Sequence, residues 1–221
     1  MKTIHQTNCS EKSTIEFLPI INAKPDSFGT VYTTLIECLR RSESRPVVAT
    51  FDLPLWLKTV RVVLDNDMPI IPRLGGFHLL KSFLGCIGFI MKDSGLEDVF
   101  QLIYPGSETV EKILSGASYY KALRAHFLVD AALRAVIIES EFSDDNMSLL
   151  ESNMLRCRKE KLGSQYKKLF IHGVQEIIKK KLKAFALTGR TATLWFQYHD
   201  QVQLVKDYIR AERLSEFDNH M

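Results

Sequence analysis

Over its first 95 residues the chain alternates two kinds of apolar spacing. "TIEFLPII" (14–21) is strand-like, and Pro19, with no N–H to donate, argues for an edge position or an early end. "NAKPDSFG" is a loop in which Asp26 or Ser27 can cap a helix through "TVYTTLIECLRR". Val31, Leu35, Cys38 and Leu39 of that stretch keep the helical period. "VVATF" (47–51) is a charge-free, β-branched run, the pattern of a strand buried on both faces. Val47, Val48 and Phe51 are therefore expected to be nearly inaccessible. Pro54 suits the first turn of a helix, where its missing N–H costs nothing. "LWLKTVRVVL" then places Leu57, Val60, Val63 and Leu64 on one side. "IIPRLGG" reads as a short strand, and another helix runs from about Phe77 to Met91. This order predicts an α/β fold with a small, mainly parallel, three-stranded sheet, right-handed crossover helices and "VVATF" at its centre.

After Ser94 the strand patterns stop. "GLEDVFQLIY" and "SETVEKILSG" read as short helices split by Pro105-Gly106. "ASYYKALRAHFLVDAALRAVIIESEF" has no breaker and reads as one long helix, followed by the capping turn "SDDNMS". A basic helix runs through "MLRCRKEKLGSQYKKLFIHGVQEIIKKKLKAF" to Thr188-Gly189. In the last helix Trp195, Tyr198, Val202, Val205 and Ile209 form the apolar stripe. The chain thus divides into a flexible tail (1–13), an α/β subdomain (14–94) and a large all-helical subdomain (95–221). The last helix lacks a closing element, which points to truncation at the C-terminus or to self-association.

Charge changes this picture in one place. The whole chain carries a net +3, too little to imply a nucleic-acid partner by itself. Residues 156–183, however, hold ten Lys or Arg and two Glu, a local +8 that leaves −5 for the remainder. Arg156, Arg158, Lys159, Lys167, Lys168, Lys179, Lys180, Lys181 and Lys183 form a candidate phosphate-binding surface for DNA or RNA. The bland alternative is a solvated helix face. No base-reading motif accompanies these residues, so any binding should ignore sequence.

Cys9, Cys38, Cys86 and Cys157 are scattered without a C-x-x-C, which gives no zinc or redox motif and suits free thiols in a reducing compartment. The polar N-terminus lacks the apolar core of a signal peptide. "SFLGCIGFIM", bounded by Lys81 and Lys92, is about half the length needed to cross a bilayer. The expectation is an intracellular protein, nuclear or cytoplasmic, with no membrane contact.

Several stretches carry a resemblance. "FLPIINAKPDSFGTVYTTL", "VVATFDLPLWLKT", "RLGGFHLLKSFLGCIGFIMKDSGLEDV", "ILSGASYYKALRAHFLVDAALRAVI" and "LWFQYHDQVQLVKDYIRAERLSEF" are similar to transposable-element-associated proteins of animal genomes. The most specific pieces are "TFD-x-PL" and "R-L-G-G-F-H". A weaker resemblance is to the second half of the ribonuclease-H-like domain of Mutator-like transposases. There an aspartate ends an apolar strand, and a short strand followed by an F-H or C-x-x-H element opens another helix. Asp52 and Phe77-His78 match that arrangement.

The resemblance implies a divalent-metal-dependent phosphoryl transferase in which Asp52 is the second acidic ligand of Mg²⁺ or Mn²⁺. The first acid should lie on an opening hairpin, where residues 1–46 offer one strand carrying Glu16. Asp130 on the long helix stands for the third. A site of this kind needs carboxylates converging on a hard cation, and the set is incomplete, which favours a catalytically incomplete remnant. Read from the residues alone, Asp52 either caps the helix that follows it or faces a site at the carboxyl end of its strand. His78, expected beside Asp52 at one end of the sheet, is either an acid/base or metal partner of Asp52 or a structural histidine. Arg124, His126 and Asp130 do not share one helix face, and Asp130 can pair with Arg134. Against the remnant of a transposase stands a non-enzymatic interaction or scaffold protein.

Overall fold

The structure, a computed structural model, describes residues 15–43, 45–141 and 164–214, together with 148, 152 and 155. The chain divides into two compact units, residues 1–81 and 82–221. The tail 1–13 and the turn "SDDNMS", apart from Ser148, lie outside the described residues.

In the first unit, α1 (Phe28–Arg41) starts where Ser27 Oγ accepts the Thr30 N–H at 3.1 Å, so Ser27 rather than Asp26 is the cap. Its last turn carries Arg40 and Arg41, favourable at the negative end of the helix, and both pair with Glu37. β1 (Val47–Phe51), α2 (Leu53–Asp65) and β2 (Ile70–Leu74) follow. The two strands are parallel, with Val47 opposite Ile70 and Phe51 opposite Leu74. Gly75 N–H donates to the Phe51 carbonyl at 2.8 Å and continues the ladder by one residue. By the alternation of a parallel ladder, Val47, Ala49 and Phe51 then turn their backbone groups towards β2, and Val48 and Thr50 turn theirs outward. Ile70, Pro72 and Leu74 likewise face the outer edge of β2. There Pro72 has no N–H, and its carbonyl accepts the Trp56 indole N–H at 3.2 Å.

The sheet has two strands, not three. Among the described residues the segment 15–21 forms no ladder, and Phe17 and Ile20 are 92% and 97% exposed. Nor is "VVATF" a sealed central strand. A single layer of helices covers one face, so the pleat decides burial: Ala49 is buried, whereas Val48 is 54% exposed. Val47 and Phe51 are half-buried against a core of Val31, Leu35, Ala49, Val62, Val63, Met68 and Ile70. α2 keeps its helical period with a shifted phase. Thr59, Val62 and Val63 face inward, and Leu57 and Leu64 lie out in solvent.

The chain passes through α3 (Gly76–Ile90) into the second unit, whose described elements are all helices: α4 (Leu96–Ile103), α5 (Ser107–Leu114), α6 (Tyr119–Glu141), α7 (Ser164–Ala186) and α8 (Arg190–Leu214). The division falls inside α3 because its second half belongs with α5. A Cβ on Gly88 would sit 2.0 Å from the Leu114 carbonyl oxygen, so only glycine allows this approach. Gly106 takes φ 103° between α4 and α5. α6 is the central element, packed against α4, α5, α7 and α8. Phe100, Ile113, Ala122, Ala125, Leu182, Tyr198 and Val202 are fully buried. Trp195 and Ile209 of the expected stripe are half-buried.

Candidate functional site

Asp52 has extended backbone, and its Oδ1 accepts the Leu55 N–H at 3.0 Å, with Pro54 in the first turn of α2. It is a helix cap, exposed to solvent. The bond from Gly75 N–H to the Phe51 carbonyl holds the "LGGF" turn at the same end of the sheet. His78 lies half-buried in α3, two residues past the start of the helix, its ring edge-on to Phe77 at 5.3 Å. No hydrogen bond or ion pair joins it to Asp52. Among the described residues no group of three or more His, Cys, Asp and Glu side chains could hold a metal ion. The assignment of Asp52 and Asp130 to one Mg²⁺ or Mn²⁺ site thus has no such group to rest on.

Asp130 does gather partners, of another kind. It is fully buried on α6. His199 Nδ1 lies 2.6 Å from Oδ1, while Gln203 Nε2 and Lys206 Nζ donate to Oδ2 at 3.0 and 2.5 Å. Arg134 Nε is 3.0 Å from Oδ2, an ion pair whose N–H is not aligned for a hydrogen bond. Burial alone would raise the carboxyl group. The hydrogen bonds from His199 and Lys206 and the charges of Arg134 and Lys206 outweigh it and hold Asp130 below the ordinary carboxylate range. An ionised carboxylate only accepts, so His199 Nδ1 carries the proton.

One turn earlier on α6, His126 is also fully buried. Its Nδ1 lies 3.0 Å from the Tyr198 hydroxyl, and its ring meets Phe100 edge-on. Its Nε2 is buried without a hydrogen-bond partner among the described residues. Burial pulls the imidazole down to about 4, so His126 is neutral at physiological pH. Burial, with the Asp130 charge behind it, pushes the Tyr198 phenol up. Chemically this is a closed polar seam between α6 and α8. His199, Gln203 and Lys206 each donate to Asp130, and Arg134 adds its charge at 3.0 Å.

Sequence reasoning singled out Asp130 and its pairing with Arg134 but missed the other partners. His199, Gln203 and Lys206 stand at i, i+4 and i+7 on α8, a polar stripe beside the apolar one. His126 and Asp130 stand at i and i+4 on α6, and Arg124 points to solvent. Two matching polar stripes were the available signal.

The basic surface is described in part. Arg156, Arg158 and Lys159 lie outside the described residues. Lys167 and Lys168 lie on the backbone of α7. Near its C-terminal end Lys179, Lys180 and Lys183 are exposed and Lys181 is half-buried, while Ile178 and Leu182 face inward. No carboxylate among the described residues pairs with Lys179, Lys180 or Lys183. Cys38 and Cys86 are free thiols. No helix among the described residues is long and apolar enough to cross a membrane.

A family defined as "Domain of unknown function (DUF8702)" matches residues 1–221. The chain belongs to the DUF8702 family. No curated protein and no solved structure matches it. In this DUF8702 protein the buried seam and the lysine-bearing end of α7 both belong to the helical unit, and one is spent internally while the other is presented to solvent.

Proposed function

We propose that this DUF8702 protein is a non-enzymatic contact module of transposable-element origin that binds nucleic acid, without sequence preference, through the C-terminal half of α7. One observation carries the reading. Lys179, Lys180 and Lys183 are exposed on consecutive turns, with no carboxylate among the described residues to neutralise them. Lys179 and Lys183, at i and i+4, share one face and suit a phosphate backbone. The order β1–α2–β2–α3, with Asp52 ending β1 and Phe77-His78 opening α3, supports descent from a reduced ribonuclease-H-like core that has lost its chemistry. A nuclear or cytoplasmic setting would follow. The scaffold reading draws on the seam at Asp130, whose groups serve packing alone.

The test is fluorescence anisotropy with duplex and single-stranded oligonucleotides at low and moderate salt. Binding is expected at low salt, falling steeply as salt rises. Replacing Lys179, Lys180 and Lys183 by glutamine should flatten the salt slope by roughly 2 to 3, about one per lost phosphate contact. No binding at low salt, or binding indifferent to these changes, would leave the scaffold reading.

A further inference from the structure

The two edges of the small sheet differ in kind. The outer edge of β2 is closed, because Pro72 offers no N–H there and its carbonyl is taken by Trp56. Among the described residues the outer edge of β1 is unpaired. Val48 and Thr50 direct their N–H and C=O groups outward, and both residues are exposed. The same chain also carries an apolar segment, 15–21, that forms no ladder among the described residues. In the segment 15–21, Leu18, Pro19, Ile20 and Ile21 border a groove beside α1, Phe51 and Leu55. Ile15, Phe17 and Ile20 are 80%, 92% and 97% exposed. Among the described residues nothing covers them.

We infer that the open edge of β1 accepts the segment 15–21 of a second copy, in a reciprocal strand exchange that makes a symmetric dimer. The proline in the donor fixes its parity. Pro19 cannot donate, so it must face away from β1, and Glu16, Leu18 and Ile20 supply the backbone groups that meet Val48 and Thr50. With that parity the new outer edge presents Pro19. The completed three-stranded sheet is then closed by Pro19 on one side and Pro72 on the other. Growth stops at two copies instead of running on into a fibre. An unrelated strand would not be expected to carry its proline at the position that ends the sheet, which favours this chain as its own partner.

The scale fits a weak dimer. Each copy would contribute roughly 15 residues as donor and acceptor together, against the 20 to 30 of a standard interface, so about 1,000 Å² in total would be buried. Main-chain hydrogen bonds would supply the register and the apolar side chains the burial.

Sedimentation velocity of the full chain across a concentration series tests the state, and isotope-filtered NOEs on an equal mixture of labelled and unlabelled protein locate the contact. A dimer is expected in the tens-of-micromolar range, with intermolecular NOEs between the Phe17–Ile20 segment and Val48–Thr50. Ile20→Lys, at an exposed position, should shift the monomer–dimer constant at least tenfold without unfolding. Thr50→Pro should do the same by removing an acceptor-edge N–H. If Thr50→Pro does not fold, Ile20→Lys alone decides. A monomer at several hundred micromolar, a dimer indifferent to Ile20→Lys, or NOEs confined to one chain would each overturn the inference.

Discussion

Asp52 poses the question of the first unit in a single side chain. Its carboxylate accepts one backbone N–H, a bond asparagine can also make. Asp52→Asn should therefore shift stability by a few tenths of a kcal/mol, and Asp52→Ala should cost about 1 kcal/mol in chemical denaturation. A large loss in Asn would mean that the charge, not the cap, matters. In the helical unit His126 carries the pH dependence. Its folded pKa of about 4 lies below the ordinary histidine value, so between about 4 and 6.5 the unfolded chain holds a proton that the folded one refuses. Stability should thus rise with pH across that window, by on the order of 3 kcal/mol in all. Below it, Asp130 also gains a proton, and its contribution is lost as pH falls through its lowered pKa. His126→Phe alone leaves the Tyr198 hydroxyl only the long 3.4 Å bond to the backbone carbonyl of residue 126 and should destabilise by about 1–2 kcal/mol at pH 7. His126→Phe with Tyr198→Phe removes both partners and should recover most of that loss while flattening the pH 4–6.5 profile. Urea midpoints for both variants at pH 4.5 and 7 check this.

At the scale of elements, the glycines separate close approach from simple tolerance. Gly88 has the Leu114 carbonyl where a Cβ would go, and Gly173, in the middle of α7, has nothing within 4 Å. Gly88→Ala should cost about 3 kcal/mol, because backbone has to move. Gly173→Ala should gain about 0.5–1 kcal/mol, the helix-propensity difference. Thermal melts of the two variants should move in opposite directions. The elements themselves were legible wherever a local signal set them: Pro54 opened α2, Ser27 capped α1, and Pro105-Gly106 split α4 from α5. Phase was less legible. Leu57 and Leu64 obey the helical period yet stay exposed, because inward direction depends on what α2 meets, and α2 covers a sheet of only two strands.

At the scale of the whole molecule, the parallel order β1–α2–β2 and the large helical part could be read from the order of patterns. The third strand could not. "TIEFLPII" has strand composition, but pairing is a property of two segments, and among the described residues 15–21 meets no strand edge in ladder register. The candidate site was legible to a similar depth. Asp130 could be named from the sequence. His199, Gln203 and Lys206, which give it meaning, stand 69 to 76 residues away. Such a pairing leaves no local trace beyond matching polar stripes on two helices.

The separation that hid this seam from the sequence also orders events at the ribosome. β1 and β2 close over an offset of 23 residues, whereas His126 waits for Tyr198, 72 residues later. At 5 to 20 residues per second, the side of α6 that meets α8 waits roughly 4 to 14 seconds for its partner. During that interval Asp130 and His126 are hydrated, alongside Lys121, Arg124, Arg134 and Glu139 of the same helix. The polar groups that later join α6 to α8 are thus among those that water holds while the helix waits.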